Sequence, residues 1–190
     1  GPETAALMRV HPSNYAIVGF AEQAALAELV ALGAKHQLPV IDDLGSGAME
    51  DLAGYGIGGE PLVADSLRAG ADVVLFSGDK LLGGPQCGII LGRKPLIQKI
   101  SQHPLSRALR VGKLTLAALL ETLRLHQDRE TAERSLPLLS LLSTSVANLQ
   151  QRAQRLAPQL AACPAIKSAE PVESQAYLGG GSVPSQGLAS

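Results

Sequence analysis

The residues with the clearest chemical potential lie in one glycine-rich turn at 77–86, which reads Ser-Gly-Asp-Lys-Leu-Leu-Gly-Gly-Pro-Gln. Two short apolar runs flank it, Val73–Phe76 and Cys87–Leu91, and both predict buried strands. Lys80 therefore lies near the end of a strand, beside glycines that permit close approach of a ligand. A lysine amine can form a Schiff base with an aldehyde cofactor or a carbonyl substrate. This local pattern alone also fits a solvated turn lysine.

Two carboxylates could support such a lysine. Asp43 follows the apolar residues Val40 and Ile41, at the carboxyl end of a predicted parallel strand, where α/β sheets bind ligands. A carboxylate facing a pyridine-type nitrogen would favour its protonated form, which acts as an electron sink. A turn or N-cap aspartate is an equal alternative, and strand alternation directs the neighbouring Asp42 to the other face. Asp79 has two interpretations: it could transfer protons beside the lysine, or it could be a turn carboxylate without a chemical role.

Arg107 and Arg110 are three residues apart, so on a helix they would share one face and could clamp a phosphate or a similar oxyanion. A solvated pair of charges is the alternative. The glycine-rich loop at 52–60 lacks the spacing of a dinucleotide-binding motif, which favours a surface loop. No metal-ligand spacing connects the histidines, which are His11, His36, His103 and His126.

Composition narrows the class of protein. With 46% hydrophobic and 17% charged residues, the 190-residue chain can form a core, and 3% aromatic residues require that core to be aliphatic. The net charge of −1 does not provide the basic surface of an autonomous nucleic-acid binder. Two cysteines are too few for a disulfide framework, and no run has transmembrane length. We therefore expect a soluble, cytoplasmic protein without a bound metal.

Apolar patterning predicts an α/β fold. A strand at Ala5–Val10, a helix from Ala21 to about Gln37 and a strand from Val40 form a βαβ unit, which implies parallel pairing. The pattern repeats through a short helix after Pro61. Further helices are predicted at 95–102, 113–126 and 135–160, followed by one weak strand after 164. The abrupt start and the Gly/Ser-rich stretch at 179–190 suggest a segment of a longer protein.

Several motifs together resemble the bacterial selenocysteine synthases, the L-seryl-tRNA(Sec) selenium transferases. The turn around Lys80 is similar to the cofactor-lysine motif of that family. Cysteine desulfurases and class V aminotransferases usually carry histidine before the lysine, whereas this chain has Asp79 there, as in the selenocysteine synthases. The resemblance covers most of residues 5–126, through the segments at 10–15, 43–47, 103–110, 115–119 and 122–125.

For the cofactor, the resemblance implies a fold-type I enzyme that binds pyridoxal 5'-phosphate. Lys80 would hold the cofactor covalently, and Asp43 would pair with its pyridine nitrogen. Asp79 would be a required acid beside the lysine. Ser77 is implied as a ligand of the cofactor phosphate, and Asn14 as a further cofactor contact.

For the reaction, the resemblance implies conversion of seryl-tRNA(Sec) to selenocysteinyl-tRNA(Sec) by β-elimination and replacement. Arg107 and Arg110 would bind the selenium donor, selenophosphate. The enzyme would be a homo-oligomer with its sites at dimer interfaces. Two alternatives stay open: another fold-type I lyase or transferase acting on a small or phosphorylated amino acid, and a non-catalytic oligomerisation module built on the long helices.

The resemblance also implies a domain organisation. Residues 1–126 would form part of the cofactor-binding large domain, 127–163 a linking helical segment, and 164–190 the start of a C-terminal domain. The family's N-terminal tRNA-binding region and the first part of its cofactor domain have no counterpart here. We therefore expect the chain by itself to be inactive and to bind the cofactor poorly.

Overall fold

The computed structural model describes residues 1–15, 17–20, 22–179, 182–183 and 186–190. Its strands are β1 (Leu7–Val10), β2 (Val40–Gly45), β3 (Val73–Ser77), β4 (Gly88–Gly92), β5 (Gln175–Tyr177) and β6 (Gly187–Ala189). Its helices are α1 (Leu26–His36), α2 (Val63–Arg68), α3 (Lys94–Gln102), α4 (Pro104–Leu109), α5 (Lys113–Leu125), α6 (Arg129–Ser135), α7 (Pro137–Leu142) and α8 (Val146–Ala161), with a 3₁₀ turn at Ala53–Tyr55.

The main sheet has the order β1-β2-β3-β4, with the first three strands parallel and β4 antiparallel to β3. Helices α1 and α2 provide the two crossovers that parallel pairing requires. The connection 78–87 between β3 and β4 contains no helix, so the chain turns back directly. The predicted α/β fold with a mainly parallel sheet is therefore confirmed.

One ion pair links the first two strands. Arg9 and Asp42 are partners in the β1–β2 register, and the guanidinium donates to both carboxylate oxygens at 2.7 and 2.8 Å. Asp42 is fully buried, while Asp43 on the opposite face is half-buried. The two-residue period of a strand thus separates the two carboxylates, as expected.

Two apolar clusters form the core, and the turn after β3 joins them. Leu82 packs into a cluster with residues of β2, β3, α1 and α2, including Leu44 and Phe76. Leu81 packs into a second cluster with residues of α6 and α7, including Leu139. Leu81 and Leu82 therefore anchor the segment after Lys80 in two different apolar clusters. This packing restrains the turn although it contains no helix or strand.

The prediction of one long helix at 135–160 is wrong, since two separate helices, α7 and α8, occupy this region and α6 ends at its start. α6 ends at Ser135, and Pro137 begins α7 at a position where a missing N–H costs nothing. Ser145 then caps α8, its hydroxyl accepting a hydrogen bond from the Asn148 N–H at 3.3 Å. The apolar periodicity continued through these breaks, whereas the capping residues determined where each helix begins.

Other boundaries differ by smaller amounts. α1 begins at Leu26 instead of near Ala21, which lies outside the described residues. The C-terminal region contains the antiparallel pair β5–β6 where one strand was predicted. The predicted Gly/Ser-rich stretch falls partly on 180–181 and 184–185, which the structure does not describe. Over the described ranges, no helix combines the length and apolarity needed to cross a membrane.

Candidate active site

Backbone hydrogen bonds close the turn that carries Lys80. The N–H of Gly78 donates to the Cys87 carbonyl at 2.8 Å, and the N–H of Gly84 donates to the Gly78 carbonyl at 2.8 Å. The N–H of Gly83 donates to the Lys80 carbonyl at 2.9 Å. A Cβ on Gly78 would lie 2.5 Å from the Cys87 sulfur, so the chain approaches itself here as only glycine permits.

Two longer-range hydrogen bonds attach the turn to the rest of the fold. The N–H of Leu81 donates to the Ser46 carbonyl at 2.9 Å, which connects the turn to the end of β2. His126, just after α5, donates from Nε2 to the Leu82 carbonyl at 2.8 Å. These contacts and the buried leucines hold the backbone around Lys80 in one position.

The Lys80 amine lies against Gly45 at the carboxyl end of β2. A Cβ on Gly45 would be 3.9 Å from Lys80 Nζ and 2.6 Å from Ser13 Oγ, and the residue has a φ of +67°. Three segments therefore meet at Gly45: the end of β2, the turn after β1 that contains Ser13, and the turn after β3 that contains Lys80. This is the edge of a parallel sheet where ligands bind.

Asp43 lies next to this point and has a local backbone partner. Its Oδ1 accepts a hydrogen bond from the Gly45 N–H at 3.1 Å, and its carbonyl accepts one from the His11 N–H at 2.7 Å. The carboxylate is half-buried, which leaves it available to a ligand beside Lys80. Asp43 and Lys80 therefore both lie at Gly45, the first through a hydrogen bond to its N–H and the second through its amine.

The remaining cofactor candidates lie around the same edge. Ser77 ends β3 and is half-buried, whereas Asp79 and Asn14 are exposed. Burial raises the pKa of the Cys87 thiol, and the negative charge of Asp79 raises it further, while a hydrogen bond from the Gly78 backbone acts in the opposite direction. Asp79 therefore affects its surroundings electrostatically although its side chain faces solvent.

A cavity of about 380 Å³ opens beside the lysine. Asp79 and Lys80 line it together with apolar residues that include Pro137, Leu138 and Leu178. The cavity combines an amine and a carboxylate with apolar walls, which is the usual character of a small-molecule site. In the part of the chain that the structure describes, no group of three or more histidine, cysteine, aspartate or glutamate residues could hold a metal ion.

The two arginines do not share a helix face. α4 ends at Leu109, and Arg110 has extended backbone angles of φ −62° and ψ 140°. Both arginines are exposed, and neither lines the cavity beside Lys80. Arg110 lines a different, mainly apolar cavity of about 560 Å³ next to β4 and α3. The helical clamp predicted from their spacing is therefore wrong in its geometry.

Sequence reasoning missed three residues near the site. Ser13 is buried against Gly45, and His11 precedes it in the same turn. Their position directly after a predicted strand was a signal that could have identified them. Glu60 faces His11, with 3.6 Å between Oε1 and Nε2, and no sequence pattern indicates a contact across 49 positions.

One solved structure is similar to this chain in architecture. A solved structure of D-glucosaminate-6-phosphate ammonia-lyase superposes with a TM-score of 0.53 at 27% identity, over 84% of this chain and 35% of that one. Together with the sheet topology, this similarity confirms the predicted fold class, α/β of fold type I.

The chain belongs to the L-seryl-tRNA selenium transferase family, whose family model matches residues 1–190. An L-seryl-tRNA(Sec) selenium transferase from Alkaliphilus metalliredigens is 47% identical over 186 residues, 98% of this chain and 40% of the relative. One from Serratia proteamaculans is 52% identical over 186 residues, 96% of this chain and 40% of the relative. The chain thus spans about 40% of the length of these relatives.

Proposed function

We propose that the protein containing this chain converts seryl-tRNA(Sec) to selenocysteinyl-tRNA(Sec), with pyridoxal 5'-phosphate as cofactor and selenophosphate as selenium donor. One observation carries the proposal: the Lys80 amine lies against Gly45, beside Asp43, at the ligand-binding edge of a parallel sheet. The family match over residues 1–190 supports this assignment, as do the names of the relatives. A tRNA substrate is consistent with a reaction in the cytoplasm.

The residues at this edge fit the proposed cofactor. A carbonyl-reactive amine is present in Lys80, and Asp43 supplies a carboxylate for a ring nitrogen. Because Gly45 has no Cβ, the Ser13 hydroxyl and the Lys80 amine can both approach the end of β2 closely. The Ser46 hydroxyl is buried without a hydrogen-bond partner among the described residues, so a polar ligand could satisfy it. When bound, pyridoxal phosphate supplies the electron sink that makes the α-proton of a seryl group removable.

Each residue then has a defined task. Asp43 keeps the ring nitrogen protonated, because an opposite charge stabilises the cationic form. Lys80 Nζ would accept the α-proton while the β-hydroxyl leaves as water, and it would return a proton to the α-carbon when selenium adds at the β-carbon. Hydrolysis of the phosphorus–selenium bond of the donor would then release phosphate. Ser77 would hold the cofactor phosphate, and Asn14 would be a further cofactor contact. Asp79 provides the acid next to the lysine.

Arg107 and Arg110 remain the proposed selenophosphate ligands, through contacts between subunits. They are exposed and line no part of the Lys80 cavity of their own chain. Always-charged guanidinium groups nevertheless suit phosphate-type oxyanions. In a homo-oligomer, the arginines of one subunit could bind selenophosphate beside the lysine of its partner, although they do not line the Lys80 cavity of their own chain. The proposal therefore includes a site at a subunit interface.

Two experiments test the proposal in the full-length protein. Borohydride reduction and peptide mass spectrometry should find a pyridoxyl group on Lys80, which Lys80→Ala removes and the exposed-lysine control Lys35→Ala retains. The full-length protein should transfer selenium from selenophosphate to serylated tRNA(Sec) but not to free serine. Absence of the adduct from the wild-type protein would end the cofactor proposal.

A second candidate is a lyase or transferase that acts on a small phosphorylated amino acid. The similarity in fold to an ammonia-lyase of a phosphorylated sugar acid favours it. Turnover of a free amino acid, with no product on the serylated tRNA, would select this candidate.

A further inference from the structure

Glu60 is a buried carboxylate with an incomplete set of partners. Its side chain is 8% exposed, and its Oε1 has no hydrogen-bond partner among the described residues. His11 Nε2 lies 3.6 Å away, within ion-pair range but too far for a hydrogen bond. Burying a carboxylate without a partner is costly, so its retention at this place calls for an explanation.

The loop that carries Glu60 is held from two directions. The side-chain amide of Gln186 accepts from the Gly58 N–H at 2.9 Å and donates to the Gly58 carbonyl at 2.6 Å. After Glu60, the Val63 N–H donates to the Ala48 carbonyl at 3.1 Å. Glu60 therefore extends from a fixed loop.

The turn that carries His11 leads into a segment with little apolar packing. The segment that follows it exposes its large side chains, with Tyr15 58%, Val18 91% and Phe20 114% exposed. Burial of apolar area can contribute little to fixing this segment. A polar contact at His11 is therefore well placed to restrain the turn.

His11 leads directly to the candidate active site. Its N–H donates to the Asp43 carbonyl at 2.7 Å, and its carbonyl accepts from the Ser13 N–H at 2.8 Å. Ser13 in turn packs on Gly45, the residue against which Lys80 Nζ lies. A contact at the His11 ring can thus affect the position of the Lys80 amine through the turn that contains Ser13.

We propose that Glu60 is a positioning residue, which holds the turn 11–14 against Gly45 through the imidazole of His11. In this role the pair sets the place of Ser13 and Asn14 relative to the Lys80 amine, and the contact tightens when the site is filled. The inference rests on the proposed function, because it assigns the pair to the same cofactor site.

Substitutions at both ends of the contact test the inference in the full-length protein. Glu60→Gln and His11→Ala should each weaken the affinity for pyridoxal phosphate about tenfold or more, as loss of a charge-assisted contact predicts. The double variant should be no weaker than the weaker single variant, because both changes remove one contact. His11→Gln, whose amide N–H can reach the carboxylate, should recover part of the affinity. Glu170→Gln, which neutralises an exposed carboxylate, is the matched control and should have no effect.

A second measurement separates this inference from the proposed function. Without cofactor, hydrogen exchange at residues 11–15 should be faster in Glu60→Gln than in the wild-type protein and unchanged in Glu170→Gln. If Lys80 of the wild-type protein carries no pyridoxyl group but this exchange still accelerates, the positioning role stands and the proposed function fails. Unchanged exchange, strictly additive affinity losses, or a lower unfolding temperature with unchanged cofactor affinity would each overturn the inference.

Discussion

The ion pair between β1 and β2 allows a quantitative test of what holds this edge of the sheet together. The Asp42 side chain is 0% exposed, and Arg9, whose side chain is 25% exposed, donates a hydrogen bond to each of its two carboxylate oxygens, at 2.7 and 2.8 Å. Arg9→Ala would leave a buried carboxylate without its partner. Removal of one member of a buried pair typically costs 3–5 kcal/mol, and the partial exposure of Arg9 leads us to expect about 3 kcal/mol.

The matched double substitution should behave differently. In Arg9→Met combined with Asp42→Leu, apolar side chains of similar volume replace both charges, so no group is left uncompensated. We expect stability within about 1 kcal/mol of the wild-type protein. The exposed pair of Arg68 and Asp65 on α2 is the control, because Arg68→Ala should change stability by less than about 1 kcal/mol.

Urea unfolding followed by circular dichroism measures these differences as shifts in the midpoint at constant slope. The reasoning is refuted if Arg9→Ala is no more destabilising than Arg68→Ala. It is also refuted if the double variant loses as much stability as Arg9→Ala alone. Because β1 leads into the turn with His11 and Ser13, Arg9→Ala should also weaken binding of pyridoxal phosphate in the full-length protein.

Three further predictions concern the site and one helix end. Gly45→Ala should weaken pyridoxal phosphate binding about tenfold or more, which binding titrations can check. The reason is that Gly45 has a φ of +67° and that a Cβ there would lie 2.6 Å from the Ser13 hydroxyl. Asp79→Asn should speed the alkylation of Cys87 by iodoacetamide at fixed pH, because it removes a charge that raises the pKa of that thiol. Hydrogen bonds from the Thr131 side chain and backbone hold the pKa of Asp128 below its ordinary 3.8, so stability due to Asp128 is present above that pH. This stability is lost as the pH falls through the lowered pKa of Asp128 in the folded protein. Below that pH, the thermal unfolding temperatures of Asp128→Ala and of the wild-type protein should therefore converge.

The predictions for Gly45 and Asp79 each have an internal control. Gly58→Ala adds a Cβ in open space and should leave cofactor affinity unchanged. Cys163 is exposed, and its alkylation rate should not respond to Asp79→Asn. Equal effects at the test and control positions would show that the contacts described at Gly45 and Cys87 do not govern these properties.

Local patterns predicted most of the main sheet. Apolar runs bounded by turn residues gave β2 and β3 nearly at their observed limits, because a short buried strand needs little beyond such a run. The same reasoning failed at 135–160, where leucine periodicity continued across Ser145, a capping residue that begins a new helix. Periodicity reports which face is apolar but does not report whether the backbone stays helical.

The candidate site shows the same division. Lys80 and Asp43 could be selected from the sequence, because each lies near a strand end, where the chemistry of α/β sheets is expected. Ser77 was selected only through the resemblance to the family. Arg107 and Arg110 were expected on one face of a helix, but the helix ends at Leu109 and the backbone is extended at Arg110. Spacing in sequence implies a shared helical face only while the helix continues.

The sequence alone determined the chemical repertoire of this protein, a lysine, two carboxylates and flexible glycines at the ends of parallel strands, together with the family that these motifs resemble. Only the tertiary structure determined which of the ionisable side chains contact each other. Arg9 meets Asp42 across 33 positions, and His11 meets Glu60 across 49 positions. The physical reason is that hydrogen bonds and ion pairs act over a few ångströms in space, and the sheet, not the order of residues, brings such distant groups within reach.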